Sequence, residues 1–436
     1  MKINKLNLSN FRCFENYEID FSDRFTLLIG DNGSGKTAVL DALKLAINPF
    51  ILGLKDFLHV EYGLKADCGA ISDYDKRYEF STLGQTLIKQ AISPTSVYLK
   101  GILNNCKIDW TLTSNLDSIS SLLEPIVSFA AELNASDSKT VFPVICNYGT
   151  ARLSADTLEN IDTSGPSSRL IGYRYCLDPF VNLKQLFSWF KKQEIIFLQK
   201  QEPQHVLEAV REAIVAMIPD AKRAWWAFEW DEILIEMVIQ GKNQTIPFHL
   251  LSDGYRNMIG MVADIAYRMA TLNPQLEADV IKQTEGIVLI DEIDLHLHPK
   301  WQREVVGRLL KTFPKVQFVA SSHSPFIIQS LYGREDCLLW DLEKAQPVAI
   351  ESESIEDIAE DQQHVEIPQK SKRYLDMMEA AEAYYRKLHE VNNESDMEVM
   401  QLRSKLDELS IPFSDDPAFA AQLKFERDSV LASKDK

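Results

Sequence analysis

The sequence is short of cysteine, of positive charge and of long apolar runs. Six cysteines stand among 436 residues, at 13, 68, 106, 146, 176 and 337, and no two are spaced as CxxC. That excludes a disulfide framework or a zinc ribbon as the organising element and matches a reducing compartment. His296 and His298 form an HxH, with no cysteine or third ligand near them in sequence. No apolar stretch approaches the roughly 18 residues of a membrane helix. Residues 1–31 mix charges into their apolar positions, so no secretion signal is read. A cytoplasmic protein without a membrane partner is expected. Lys plus Arg number 46 against 64 Asp plus Glu, a net charge of −18. That argues against a surface coated with basic residues for wrapping nucleic acid, though a local groove stays open.

Apolar side chain is plentiful. Hydrophobic residues make up 45% of the chain and aromatics 10%, the profile of a globular protein with room for two or three domains. Tyr17, Ile19 and Phe21 alternate with Glu18 and Asp20, a half-buried strand. Phe25–Ile29 is a short apolar run ending in glycine, and Ala38–Ile47 has helical character. Residues 50–222 show broken apolar segments and a polar loop at 154–168. Val206–Ile218 has helical spacing. Ile233, Ile235, Met237 and Ile239 alternate up to Gly241-Lys242-Asn243, a hairpin with 245–251. Ile287–Ile290 and Val316–Ala320 are apolar on both faces, which predicts a covered, largely parallel sheet.

Four motifs carry chemistry. Gly30-Asp31-Asn32-Gly33-Ser34-Gly35-Lys36-Thr37 matches GxxxxGK[ST] between a strand and a helix. Such a loop wraps phosphates with backbone N–H groups, Lys36 reaches the β- and γ-phosphates, and Thr37 holds Mg²⁺. Ala38 follows in the same helical turn. Ile287–Ile290 then delivers Asp291 and Glu292 to a strand end, Asp291 for Mg²⁺ and Glu292 for the attacking water. Leu251-Ser252-Asp253-Gly254-Tyr255 opens a helix, a place that suits an anion. His323, in Ser321-Ser322-His323-Ser324-Pro325, follows the strand 316–320, where an imidazole reaches a γ-phosphate.

In this order the motifs resemble the ABC-type ATPase heads of the SMC, RecF and OLD-nuclease group, over roughly residues 1–50 and 245–330. The pentapeptide stands where that group carries LSGGQ, with Asp253 for the first glycine and Tyr255 for glutamine. Asn10-Phe11-Arg12 is similar to the group's N-terminal NFR, whose arginine tends to reach the nucleotide. Asp294 matches the D-loop that crosses the dimer interface. For the Q-loop two candidates stand: Gln199, and the turn 148–152 through Arg152. The resemblance implies an α/β fold, an ABC-type P-loop head with a mixed sheet. A large α/β insertion, about 50–222, separates P-loop from signature, and a helical C-terminal extension follows. The head would run over 1–345, its nucleotide-binding parts being 1–50 and 245–345. It further implies two ATP molecules between two chains facing head to tail, with Ser252, Asp253 and Gly254 acting across the interface.

The attachments narrow the class. Only 113 residues follow His323, and they contain no DxD for a Toprim nuclease. The insertion lacks long heptads. DEIDLHLHPKWQR at 291–303 and the ending IPFSDDPAFAAQLKFER at 411–427 are similar to ATPases of Septu-type antiphage systems, which also serve retrons. That resemblance implies an HNH endonuclease partner, with a retron reverse transcriptase and its msDNA as further candidates and DNA met through the complex. A stand-alone DNA-repair ATPase of the RecF kind is the competing reading. Residues 346–436 read as an acidic linker and a partner-binding helical region, with apolar rows at Tyr374–Val391 and Val399–Leu409. Residues 351–436 alone carry a net −10, so the remainder carries −8.

Overall fold

Strands β1 (Lys2–Phe11) and β2 (Phe14–Asp20) form a hairpin, and β3 (Phe25–Ile29) leads into the glycine loop and helix α1 (Lys36–Gly53). Two further hairpins follow: β4 (Tyr78–Leu83) with β5 (Thr86–Ala91), and β6 (Ser96–Leu103) with β7 (Cys106–Thr113). Then come α2 (Ile119–Ala135), β8 (Val144–Tyr148), α3 (Leu183–Lys200) and α4 (His205–Met217). A three-stranded sheet of β9 (Ala221–Ala227), β10 (Glu232–Ile239) and β11 (Lys242–Pro247) precedes α5 (Asp253–Leu272). The chain continues through β12 (Gly286–Ile290), α6 (Pro299–Thr312), β13 (Val316–Ser321), α7 (Pro325–Gln329), β14 (Cys337–Asp341) and β15 (Gln346–Val348). Beyond them lie α8 (Lys372–Val391) and α9 (Met397–Ser410). This computed structural model describes residues 1–54, 71–83, 86–104, 106–114, 119–136, 139–153, 168–201, 204–349, 354–361, 363, 372–391 and 396–410. The polar stretch 154–167, the tail 411–436 and parts of the acidic stretch 351–366 lie outside the described residues. Two compact units are separated at residues 355 and 356.

In the first unit the strands β15-β14-β3-β13-β12-β8 make one sheet, parallel except for β15. Every residue of β3, β8, β12 and β13 is buried, as the apolar runs predict for β3, β12 and β13. The antiparallel sheet β2-β1-β6-β7 lies apart from it, and one apolar core joins both sheets to α1. Within the stretch 50–222, β6 and β7 belong to the antiparallel sheet and β8 to the edge of the parallel one. β9 is the third strand on the hairpin read at 233–251; its alternation is interrupted by Lys222 and Arg223.

A buried ion pair ties helix α5 to this edge. Arg268 Nε and the Tyr148 hydroxyl both donate to Asp264 Oδ2, each at 2.8 Å. Arg268 Nη1 also donates to the carbonyls of Gly172 and Arg174 at 2.9 Å. Both charged side chains are about 2% exposed, so all polar atoms in the cluster depend on one another. In the second unit the apolar rows of α8 and α9 meet each other. Met377, Ala381, Tyr384 and Leu388 bury against Val399 and Leu406. The apolar rows of the region read as partner-binding thus pack against each other. No helix among the described residues is long and apolar enough to cross a membrane.

Removing one partner of the buried pair strands the other charge. Asp264→Ala is expected to cost about 3–5 kcal/mol in urea unfolding, and the double replacement Asp264→Leu with Arg268→Met far less.

Candidate functional site

The parallel register decides which loops meet. Ile290 stands beside Ala320 and Tyr148, and Ser321 beside Leu28. The glycine loop, the acids at 291–292, the 321–325 loop and the 148–152 turn therefore emerge at one edge, the carboxyl end, where open α/β sheets hold ligands.

Gly30, Gly33 and Gly35 have φ of 141°, 91° and 101°, values that favour glycine. A Cβ on Gly35 would lie 2.4 Å from the Phe14 ring, so the loop is pressed against the β1–β2 turn. Lys36 is buried, and its Nζ donates to the carbonyls of Gly30 and Asp31 at 2.7 and 2.9 Å. Burial pushes this ammonium below the ordinary lysine value, while Asp291, Asp31 and other acids pull it back. Asn32, Gly33 and Thr37 are exposed, whereas Ala38 is buried in the first turn of α1. The Ser34 hydroxyl is buried without a partner.

The acids are locked to their neighbours. Thr37 Oγ1 donates to Asp291 Oδ2 at 2.9 Å, and Ser321 Oγ to Asp291 Oδ1 at 2.6 Å. The Glu292 amide donates to Ser321 Oγ at 2.8 Å, with Glu292 itself at φ 50°. Ser322 Oγ donates to Asp294 Oδ1 at 2.5 Å and Ser324 Oγ to Gln302 Oε1 at 2.7 Å. Exposed His323 sits between these two anchors.

The signature segment begins α5. Ser252 and Asp253 are exposed, and Asp253 pairs with Arg256. Gly254 is buried: a Cβ there would stand 2.4 Å from the His296 carbonyl oxygen. Tyr255, in place of glutamine, meets the Trp301 ring edge-on with centroids 4.2 Å apart. Of the HxH, His298 caps α6, its Nδ1 accepting from the Lys300 amide at 3.2 Å.

A family model described as "AAA ATPase domain" matches residues 1–162, and one described as "AAA domain, putative AbiEii toxin, Type IV TA system" matches 164–329. The chain is an ATPase with a P-loop. It is 26% identical to the retron Vc95 probable ATPase of Vibrio cholerae, over 77% of this chain and 73% of that protein. It is 24% identical to the retron Ec83 probable ATPase of Escherichia coli, over 78% and 71%. With the Septu protein PtuA of Bacillus mycoides it shares 25% over 79% of this chain and 41% of that protein. Among solved structures, the SMC head domain from Thermotoga maritima overlaps 78% of this chain and 94% of that one at 18% identity, with a TM-score of only 0.39.

The ATPase has the donors a nucleotide and Mg²⁺ require. The Ser34 hydroxyl lacks a partner, and the Thr37 hydroxyl and Asp291 carboxylate are hard oxygen donors already side by side. Arg12 is placed differently from the other candidates. Its guanidinium pairs with Asp41 at 2.8 Å and Asp75 at 3.0 Å, while its neighbours Cys13 and Phe14 touch the glycine loop. Of the two Q-loop candidates, Gln199 is exposed in the last turn of α3. Arg152 lies under the acids, 1% exposed, with Nη2 donating to the carbonyls of Asp291 at 2.8 Å and Glu292 at 2.6 Å. Burial pushes its pKa down to about 10 despite the nearby Asp291, Asp294 and Glu292. Sequence reading overlooked Ser321 as the link between Asp291 and Glu292. Its position directly after an apolar strand, beside the histidine, was the available signal.

Gly254→Ala is expected to force α5 off the His296 backbone. Overpacking of this kind costs about 1–3 kcal/mol, checked by urea unfolding against the parent protein.

Proposed function

We propose that this ATPase is the nucleotide-switched subunit of an antiphage defence complex of the Septu and retron kind, and that it regulates a separate HNH endonuclease that cuts DNA. The observation that carries the reading is likeness to retron ATPases and PtuA across more than three-quarters of the chain; the glycine loop, the acids at 291–292 and the 321–325 loop meeting at one sheet edge support it. The RecF likeness is confined to 45 residues, 10% of this chain, which favours the defence reading over a stand-alone repair ATPase. The protein acts in the cytoplasm, with msDNA and reverse transcriptase as further partners where a retron is present.

The residues divide the work as follows. The glycine loop binds the phosphates through its N–H groups, and Lys36 leaves its two carbonyls for the β- and γ-phosphates. Thr37 and Asp291 hold Mg²⁺, which supplies charge neutralisation at the phosphates. Glu292 takes the proton of the attacking water as its oxygen joins the γ-phosphorus and the bond to ADP breaks. Arg152, by gripping the carbonyls of both acids, keeps the Glu292 carboxylate in register with Asp291. His323 steadies the transferred phosphate. Ser252, Asp253 and Gly254 of a second copy close the site, with Asp294 at the interface, so bound ATP holds two heads together and hydrolysis releases them. The partner meets the second unit on the outer surface of the α8–α9 pair, where Met397 and Met400 are exposed.

Glu292→Gln should bind ATP normally and lose about 10²–10⁴-fold in turnover, accumulating as an ATP-held dimer in light scattering. Normal hydrolysis by this variant sinks the catalytic assignment. Co-expression with an HNH endonuclease encoded beside it tests the larger reading. A stable complex whose DNA cutting changes with ATP is expected, and nuclease activity indifferent to this subunit and to ATP refutes it. Loss of that complex on deletion of residues 369–436, with ATP turnover intact, would locate the contact.

A further inference from the structure

Away from the nucleotide site, a groove of about 610 Å³ runs between α4, the turn at 278–282, α6 and Arg334. Its floor is small and apolar, with Ala209, Ala213 and Ala216 along α4. Its rim carries Lys282, Arg303, Arg308, Lys311 and Arg334 against only two acids, Glu212 and Glu304. Arg308 neutralises Glu304 through Nε at 3.0 Å and Nη2 at 2.8 Å. Four cations then face one acid, in a chain whose net charge is −18.

The cations are spread along the groove. Arg303, Gly307 and Lys311 stand at successive four-residue steps of α6, a row about 12 Å long at the helical rise. At its middle, a Cβ on Gly307 would lie 2.4 Å from Arg334 Nη2. The absence of a side chain there lets the Arg334 guanidinium lie across the helix between Arg303 and Lys311. Phosphates recur regularly along a nucleic-acid strand, so an extended row of this kind faces more than one of them. A site for one free phosphate would gather its donors at a point. The alanine floor presents no side-chain donor or acceptor to a base edge. We propose that this groove binds the sugar–phosphate backbone of a nucleic-acid strand without reading its sequence. Arg303 also covers the Phe326 ring at 5.2 Å, so the rim touches α7 just after the loop that carries His323.

The test uses the full chain without ATP, so its outcome is independent of the hydrolysis and switching assignments. Labelled single-stranded and duplex oligonucleotides are titrated by fluorescence anisotropy across a salt series. Lys282→Glu/Arg303→Glu/Lys311→Glu is expected to weaken binding at least about tenfold and to lower the log–log salt slope by about two to three. Lys100→Glu/Lys107→Glu/Lys192→Glu, the same charge change at exposed lysines elsewhere, is expected to stay within about twofold. The milder Lys282→Gln/Lys311→Gln, expected to lower the slope by about two, serves should the triple variant misfold by circular dichroism. The inference is overturned if the unaltered protein binds neither oligonucleotide at low salt, if the groove variants bind as it does, or if the control loses as much. It is equally overturned if a labelled nucleoside triphosphate binds Lys36→Ala protein and the groove variant abolishes that binding, which would make the ligand a free nucleotide.

Discussion

One carboxylate holds the nucleotide edge of this ATPase together. Asp291 accepts from Thr37 on one oxygen and from Ser321 on the other, while its own amide donates to the Tyr148 carbonyl at 2.7 Å. Three parallel strands and the glycine loop are thereby referenced to a single group. Ser321 extends the link to the Glu292 amide, so the neighbouring acids are set by one hydroxyl. Charge-assisted hydrogen bonds suit this task because they are short and directional.

The layer beneath is equally specific. Arg152 grips the carbonyls of both acids from below, and its Nη1 lies 3.9 Å from the sulfur of Met261 on α5. The same helix carries the signature at its start and, through Asp264 and Arg268, the buried pair that reaches Tyr148. The helix that carries the signature is thus wired to the strand end that presents the acids. Such contiguous, fully satisfied polar contacts permit few alternative arrangements, which is the physical requirement for a switch with discrete states.

Charge is distributed with the same economy. Residues 351–436 carry more than half of the net −18, and the α8–α9 pair buries its apolar rows internally. Residues 1–350 are left with −8, and within them cations collect along α6 while Glu304 is neutralised in place. Net charge and local potential are therefore separate properties of this chain.

The motifs were legible because backbone chemistry demands particular residues at particular spacings: glycines where φ is positive, a hydroxyl after the lysine, acids after an apolar run. The same runs, largely apolar on both faces, predicted the covered parallel sheet, and strict alternation predicted β10. The sequence by itself thus determined the nucleotide chemistry and the order of the elements that deliver it. Only the tertiary structure decided that β6, β7 and β8 belong to the head's own sheets, since pairing between strands far apart in sequence leaves no local signature. It also decided that Arg12 pairs with Asp41 and Asp75, that α8 covers α9, and that Arg152 supports the acids from beneath. An arginine in a turn looks the same in sequence whether it faces solvent, a phosphate or two carbonyls. The difference lies in what the strand register brings within hydrogen-bonding distance.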